Sequence, residues 1–188
     1  MRPAEARVAG HAGRRRNGLL PVLLIAAAAV TAHGFAADET GWVGKPAPGI
    51  SGGTWLNSAP LTPADLKGNV VLVEFWTFAC ENCRHTISHV RRWQTQHGGE
   101  PFVIIGVHTP ELARERNLDA LREEIRRQGI TWPVVTDNEE KTWDAWHQRY
   151  WPVIYLVDKK GIVRYAQVGE GAYDETERMI SALIAESP

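Results

Sequence analysis

Apolar runs alternate with amphipathic stretches along the chain, and their order predicts a fold class before any motif is considered. VVLVEFW, Val70 to Trp76, is apolar at every position but one, which suits a strand covered on both faces. ISHVRRWQTQH (Ile87 to His97) then has helical spacing, with Ile87, Val90 and Trp93 along one face and a stop at Gly98-Gly99. FVIIGVH (Phe102 to His108) predicts a second doubly covered strand. ELARERNLDALREEIRRQG reads as one charged amphipathic helix, its inward stripe Leu118, Leu121 and Ile125 and its end Gly129. A short strand at Trp132 to Thr136 leads to a turn at Asp137-Asn138 and a helix around Lys141 to His147 that carries Trp143 and Trp146. Two strands, Val153 to Asp158 and Ile162 to Gly169, flank the hairpin turn Lys159-Lys160-Gly161. Asp174 is placed as the cap of a last helix, with Thr176, Ile180, Leu183 and Ile184 toward the sheet. Alternating strands and helices, then a β-hairpin and a helix, give an α/β fold whose mixed central sheet is flanked by helices.

Upstream of the first strand, WVGKPAPGIS (Trp42 to Ser51) is an extended entry rich in Pro and Gly. Gly52-Gly53, Thr54 to Leu56 and the turn formers Asn57-Ser58 suggest a small hairpin, and Thr62-Pro63 begins one helical turn closed at Lys67-Gly68. Residues 1–37 have a different character. Arg14 to Arg16 precede the apolar run Leu19 to Val30, and small residues follow at Gly34, Ala36 and Ala37, the layout of a secretory signal peptide. A run of about 12 apolar residues is short of the roughly 20 that span a bilayer, so cleavage is expected, with an uncleaved tilted anchor as the alternative. The expected division is a signal at 1–37 and one folded domain at 38–188.

Charge changes little in this picture. At a formal net charge of −1, nothing argues for a nucleic-acid partner. Cysteine usage changes more, because the only two are Cys80 and Cys83. They sit just after the first strand, where a helix begins, and there unpaired N–H groups and the helix dipole stabilise a thiolate on the first cysteine. Cys80 is the expected nucleophile and Cys83, one turn further in, the resolving thiol. In an exported protein such a pair is oxidised unless something keeps reducing it.

A strand ending VEFW, CENC opening a helix and a proline just before the next-to-last strand, Trp151-Pro152, resemble the thioredoxin superfamily. The extra helix and strand before that proline, the entry hairpin and the export signal are similar to TlpA-like exported thiol:disulfide oxidoreductases. WTFACENCRH, VIIGVHTPE, RYWPVIYLVDKKG and YDETER resemble above all the thioredoxin-like domain of DipZ-type proteins. The resemblance covers roughly Trp42 to Glu186. It implies a thioredoxin fold with a helix-strand insertion before a cis-Pro, and catalysis by disulfide exchange without cofactor or metal. It places Glu74 where thioredoxin has its buried acid, and alternation with Trp76 directs that carboxyl inward beneath the cysteines, where desolvation would raise its pKa. It makes Trp151-Pro152 a cis bond facing the pair, where an extended partner can add as a strand. Trp76, Phe78, Trp151 and Pro152 are the expected substrate-binding residues, with the three aromatics as an apolar collar. The implied partners are exported proteins bearing disulfides, for instance apocytochromes awaiting haem, and a membrane protein that passes electrons outward. Contact with a membrane would come only through an N-terminal anchor, and the implied location is periplasmic or otherwise extracytoplasmic.

Other assignments compete. Glu74 could be a surface charge, and Pro152 a trans proline beginning a strand. Glu81 beside Cys80 disfavours its thiolate and argues for a reductant, whereas Arg84 and His85 pull the other way. Relatives often carry a Glu three residues after the second cysteine; here Thr86 stands there. Cys80, Cys83, His85, His89 and His108 are metal-binding residue types, so a metal-binding or copper-delivery protein is an alternative, although Cys83 and His85 face different sides of one helix. A peroxiredoxin-like peroxidase and a static structural disulfide complete the set.

Overall fold

The apolar run at residue 70 becomes the middle of a six-stranded sheet in the computed structural model, which describes residues 39–188. The expected signal at 1–37 lies outside the described residues. In chain order the elements are β1 (Trp55–Leu56), α1 (Pro63–Leu66), β2 (Val70–Trp76), α2 (Glu81–Gln96), β3 (Phe102–His108), α3 (Leu118–Gln128), β4 (Val134–Thr136), α4 (Lys141–Ala145), β5 (Val153–Val157), β6 (Val163–Val168) and α5 (Tyr173–Ala185). The sheet order is β1-β4-β3-β2-β5-β6. β3 runs parallel to both β2 and β4, while β5 is antiparallel to β2 and β6, so the sheet is mixed.

Strand alternation divides the core in two. Val70, Leu72 and Trp76 of β2 face Cys83, Ile87, Val90 and Trp93 of α2, together with Leu121 and Ile125 of α3 and Ile180 and Leu183 of α5. Val71, Val73 and Phe75 face the other way, into a cluster with Ile105, Val107, Tyr155 and Trp146 that the entry segment covers with Trp42 and Ile50. The longer helices therefore share one face. Short elements and the entry cover the other.

Register places the ends of four segments together. Trp76 pairs with His108, His108 with Thr136, and Phe75 with Val153. The loops that follow β2, β3 and β4, and the one that precedes β5, thus meet at a single end of the sheet.

Three local expectations are corrected. The entry hairpin does not form: β1 pairs antiparallel with β4, Trp55 opposite Val135. Asn57 does turn, at φ 64, but its side-chain amide donates to the carbonyls of Ile130 and Trp132, so the turn delivers the chain to a distant segment. The charged helix is broken. Ala113–Arg116 is a separate 3-10 turn, and Asn117 caps α3 by accepting from the Ala120 N–H at 2.9 Å. Finally, α5 begins after Ala172, in the left-handed region at φ 49, which puts Asp174 in the first turn and not at the cap.

Gly106 of β3 sits under two indoles. A Cβ there would lie 2.9 Å from Trp76 Nε1 and 3.3 Å from Trp132 Nε1, both on fully buried rings. Gly106→Ala is expected to lower unfolding stability by about 1–3 kcal/mol through overpacking. Gly49→Ala, with nothing among the described residues within 4 Å, is expected to leave it unchanged. Urea midpoints compare the two, and equal midpoints would show that the rings can give way.

Candidate active site

The sheet end described above carries the cysteines. β2 stops at Trp76, and four residues later Cys80 caps α2 with extended backbone, its Sγ accepting from the Cys83 N–H at 3.1 Å. Cys80 and Cys83 are joined as a disulfide with Cα atoms 5.2 Å apart. Their exposures differ in a way that assigns roles: Cys80 is half-buried, whereas Cys83 is fully buried against the helix-side core. An attacking thiol from outside reaches Cys80 only. The free N–H groups of the first helical turn favour negative charge on its sulfur.

Glu74 lies on the same sheet face as Leu72 and Trp76, the face that α2 covers with Cys83. It is 0 % exposed, and neither carboxylate oxygen has a hydrogen-bond partner among the described residues. Burial without compensation pushes its pKa up to about 8. A carboxyl that titrates there is close to an ordinary thiol, near 8.5, so a proton passes between them at little cost.

The remaining sequence candidates divide. Trp151-Pro152 is a cis bond. Pro152 is buried next to Val153, which pairs with Phe75, so the proline lies at the cysteine end of the sheet. Trp151 is half-buried and stacked on Trp143 at 4.2 Å between ring centroids, with Tyr150 exposed beside it. Phe78 is half-buried and stacked on His108 at 5.5 Å. Trp76 is not part of any collar. It is 0 % exposed and belongs to the helix-side core, because its position in β2 gives it the inward face that Glu74 also takes.

A family model described as the AhpC/TSA family matches residues 43–166, two thirds of the sequence. The chain belongs to the AhpC/TSA family. Protein DipZ of Mycobacterium tuberculosis is 40% identical over 139 residues, which cover 72% of this chain and 20% of DipZ. This family member thus spans about a fifth of the length of that relative. Thiol-disulfide oxidoreductase YkuV of Bacillus subtilis is 24% identical over 76% of the chain and 97% of its own length. Among solved structures, the thioredoxin-like superfamily protein SPOA0173 superposes with a TM-score of 0.71 at 26% identity, covering 76% of this chain and 97% of that one. The fold is that of the thioredoxin superfamily, and YkuV, which the chain matches along nearly its whole length, is named a thiol-disulfide oxidoreductase.

In this AhpC/TSA member each histidine weighed as a metal ligand has a contact of its own. His85 contacts Glu170 at 3.1 Å, His89 stacks on Tyr173 at 3.5 Å, and His108 is buried beneath Phe78. Thr86 is buried, its hydroxyl donating to the Asn82 carbonyl at 2.9 Å. Two carboxylates at this end escaped the reading of the sequence. Asp137 accepts from the N–H groups of Thr142 and Trp143, capping α4, and Glu115 reaches the loop before Cys80. The signal for Glu115 was Asn117: read as a cap, it ends the preceding turn and frees Glu115 from the exposed face of α3.

Stability should record Glu74 directly. The folded protein keeps a proton that the unfolded chain releases, so stability falls as pH rises from Glu74's ordinary 4.5 through about 8. Every tenfold difference in proton affinity between the folded and unfolded chain is worth ~1.4 kcal/mol, so Glu74→Gln is expected to exceed the parent by several kcal/mol at pH 9 and to match it near pH 4. His108, depressed to about 4 by burial, acts oppositely: stability is lost as pH falls from 6.5 through that value, in parent and variant alike. Urea unfolding of the oxidised protein across this range checks both; an unchanged alkaline slope in Glu74→Gln would show that Glu74 is not the buried acid.

Proposed function

We propose that the chain is an exported reductant of disulfides in partner proteins, with Cys80 as nucleophile, Cys83 as resolving thiol and Glu74 as proton carrier. The observation that carries this is the arrangement of a reachable Cys80, a buried Cys83 and an unpartnered buried carboxyl on the sheet face beneath them.

The cycle balances with the protein's own groups. The Cys80 thiolate attacks a partner disulfide; a Cys80–partner sulfur bond forms, the partner bond breaks, and one partner sulfur leaves as thiolate. Cys83 then gives its proton to Glu74 in its ionised form, the minor form at neutral pH, and attacks Cys80. The mixed disulfide breaks, the second partner sulfur leaves, and the Cys80–Cys83 bond closes. Two electrons have passed to the partner, and the chain is in the disulfide form described above. An outside dithiol must reduce it again, the role assigned to a membrane protein that passes electrons outward.

Export and location outside the cytoplasm are supported by the signal layout of residues 1–37. The reducing direction is supported by Glu81, which opens α2 beside Cys80 and opposes its thiolate. Pro152, Trp151 and Phe78 are proposed to receive the partner segment, with exported apocytochromes as one candidate class. Tyr150 extends that surface.

The test follows disulfide reduction in a protein substrate such as insulin. Cys80→Ala is expected to fall to background. Cys83→Ala is expected to complete the first step and accumulate a mixed disulfide that dithiothreitol releases. Turnover that survives loss of Cys80, or faster consumption of hydrogen peroxide than of protein disulfide, would contradict the proposal.

A further inference from the structure

Glu115 is a carboxylate for which disulfide exchange, as set out above, has no use, yet it is only 1 % exposed at the rim of the site. Its oxygens collect four donors. Oε1 accepts from the Thr77 hydroxyl at 2.5 Å and the Ala79 N–H at 2.7 Å. Oε2 accepts from the N–H groups of Glu111 at 2.9 Å and Leu112 at 2.7 Å. Thr77 and Ala79 lie three and one residues before Cys80, so a single side chain ties the loop entering α2 to the loop leaving β3.

All four donors are neutral. Burial works to raise the pKa of Glu115, but the hydrogen bonds from Thr77, Leu112 and Ala79, with His108 nearby, outweigh it and hold the carboxyl below its ordinary range. His108 itself is buried and, with its pKa depressed to about 4, neutral near pH 7. A full negative charge is therefore fixed against the residue that precedes Cys80. Glu81, Arg84 and His85 are the charged or titratable residues that follow Cys80 on α2, but they are exposed, and solvent screens and so weakens their effect on it. Glu74, beneath the pair, is mostly protonated at neutral pH. Glu115 differs from all of these in being both buried and charged.

We propose that Glu115 is a positioning residue of the cysteine pair: it fixes the Thr77 to Cys80 loop, and its buried charge disfavours the Cys80 thiolate against the pull of the α2 N-terminus. This rests on Cys80 being the nucleophile, as proposed above. The consequence is a pair whose dithiol form is not trapped as a stabilised thiolate, and which is therefore a weaker oxidant.

The experiment is iodoacetamide alkylation of the reduced full chain as a function of pH, with Cys80 identified as the modified residue. In Glu115→Gln the thiol pKa is expected to drop and the rate at pH 7 to rise about tenfold. Glu115→Asp, which keeps the charge, is expected to stay within about threefold of the parent. A Gln variant that is alkylated at the parental rate overturns the proposal. Should that variant fail to fold, the parent decides alone: an inflection at about 7.5 or above supports a charge opposing the helix terminus, and a lower one overturns it. A parent in which Cys80 is not alkylated at any pH overturns the nucleophile assignment as well, which separates the two failures.

Discussion

Burial of β2 along both faces is the constraint on which the active end depends. All seven of its residues are buried, with α2 over one face and the entry segment and Trp146 over the other. A strand so enclosed cannot shift its register by one residue without exchanging its two faces, which fixes where it ends and hence where α2 starts. Cys80 lies at that start because β2 stops at Trp76 and the loop between them is short. The same enclosure denies Glu74 any contact with water. Its chemistry follows from where the strand puts it.

Two carboxyls at this end are both buried and behave in opposite ways. Among the described residues Glu74 has no hydrogen-bond partner and is raised to about 8, while Glu115 has four donors and lies below its ordinary range. Glu74 lies deeper and its only perturbation is desolvation, whereas at the shallower Glu115 hydrogen bonds outweigh it. One acid is left able to carry a proton, and the other is held as a permanent charge. Environments that push like groups apart in pKa are a recurring way to divide acid–base roles within one site.

Much of this was legible in the residues. β2 and β3 occupy the apolar runs at Val70 to Trp76 and Phe102 to His108, since a doubly covered strand must be apolar almost throughout. The stripe Ile87, Val90 and Trp93 faces the core as its spacing required. The failures have separate causes. β1 consists of two residues whose partner is about eighty positions away, and local turn signals cannot report such a pairing. A left-handed Ala172 starts α5, a conformation that nothing in an alanine announces. Trp76 is different: if alternation sends Glu74 inward, it sends Trp76 inward too, and an exposed collar containing Trp76 contradicted the alternation that placed Glu74. Glu115 was hidden in a charged segment whose helix was drawn through the Asn117 cap.

The central claim is that this pair donates electrons. Its most direct measurement is the reduction potential of Cys80–Cys83, taken by equilibrating the protein in defined thiol–disulfide buffers and following tryptophan fluorescence. A value at or below about −250 mV is expected of a pair whose Cys80 thiolate is disfavoured by the buried charge of Glu115 and, more weakly, by the solvent-screened Glu81; a value near about −120 mV would mean an oxidant with a stabilised thiolate and contradict it.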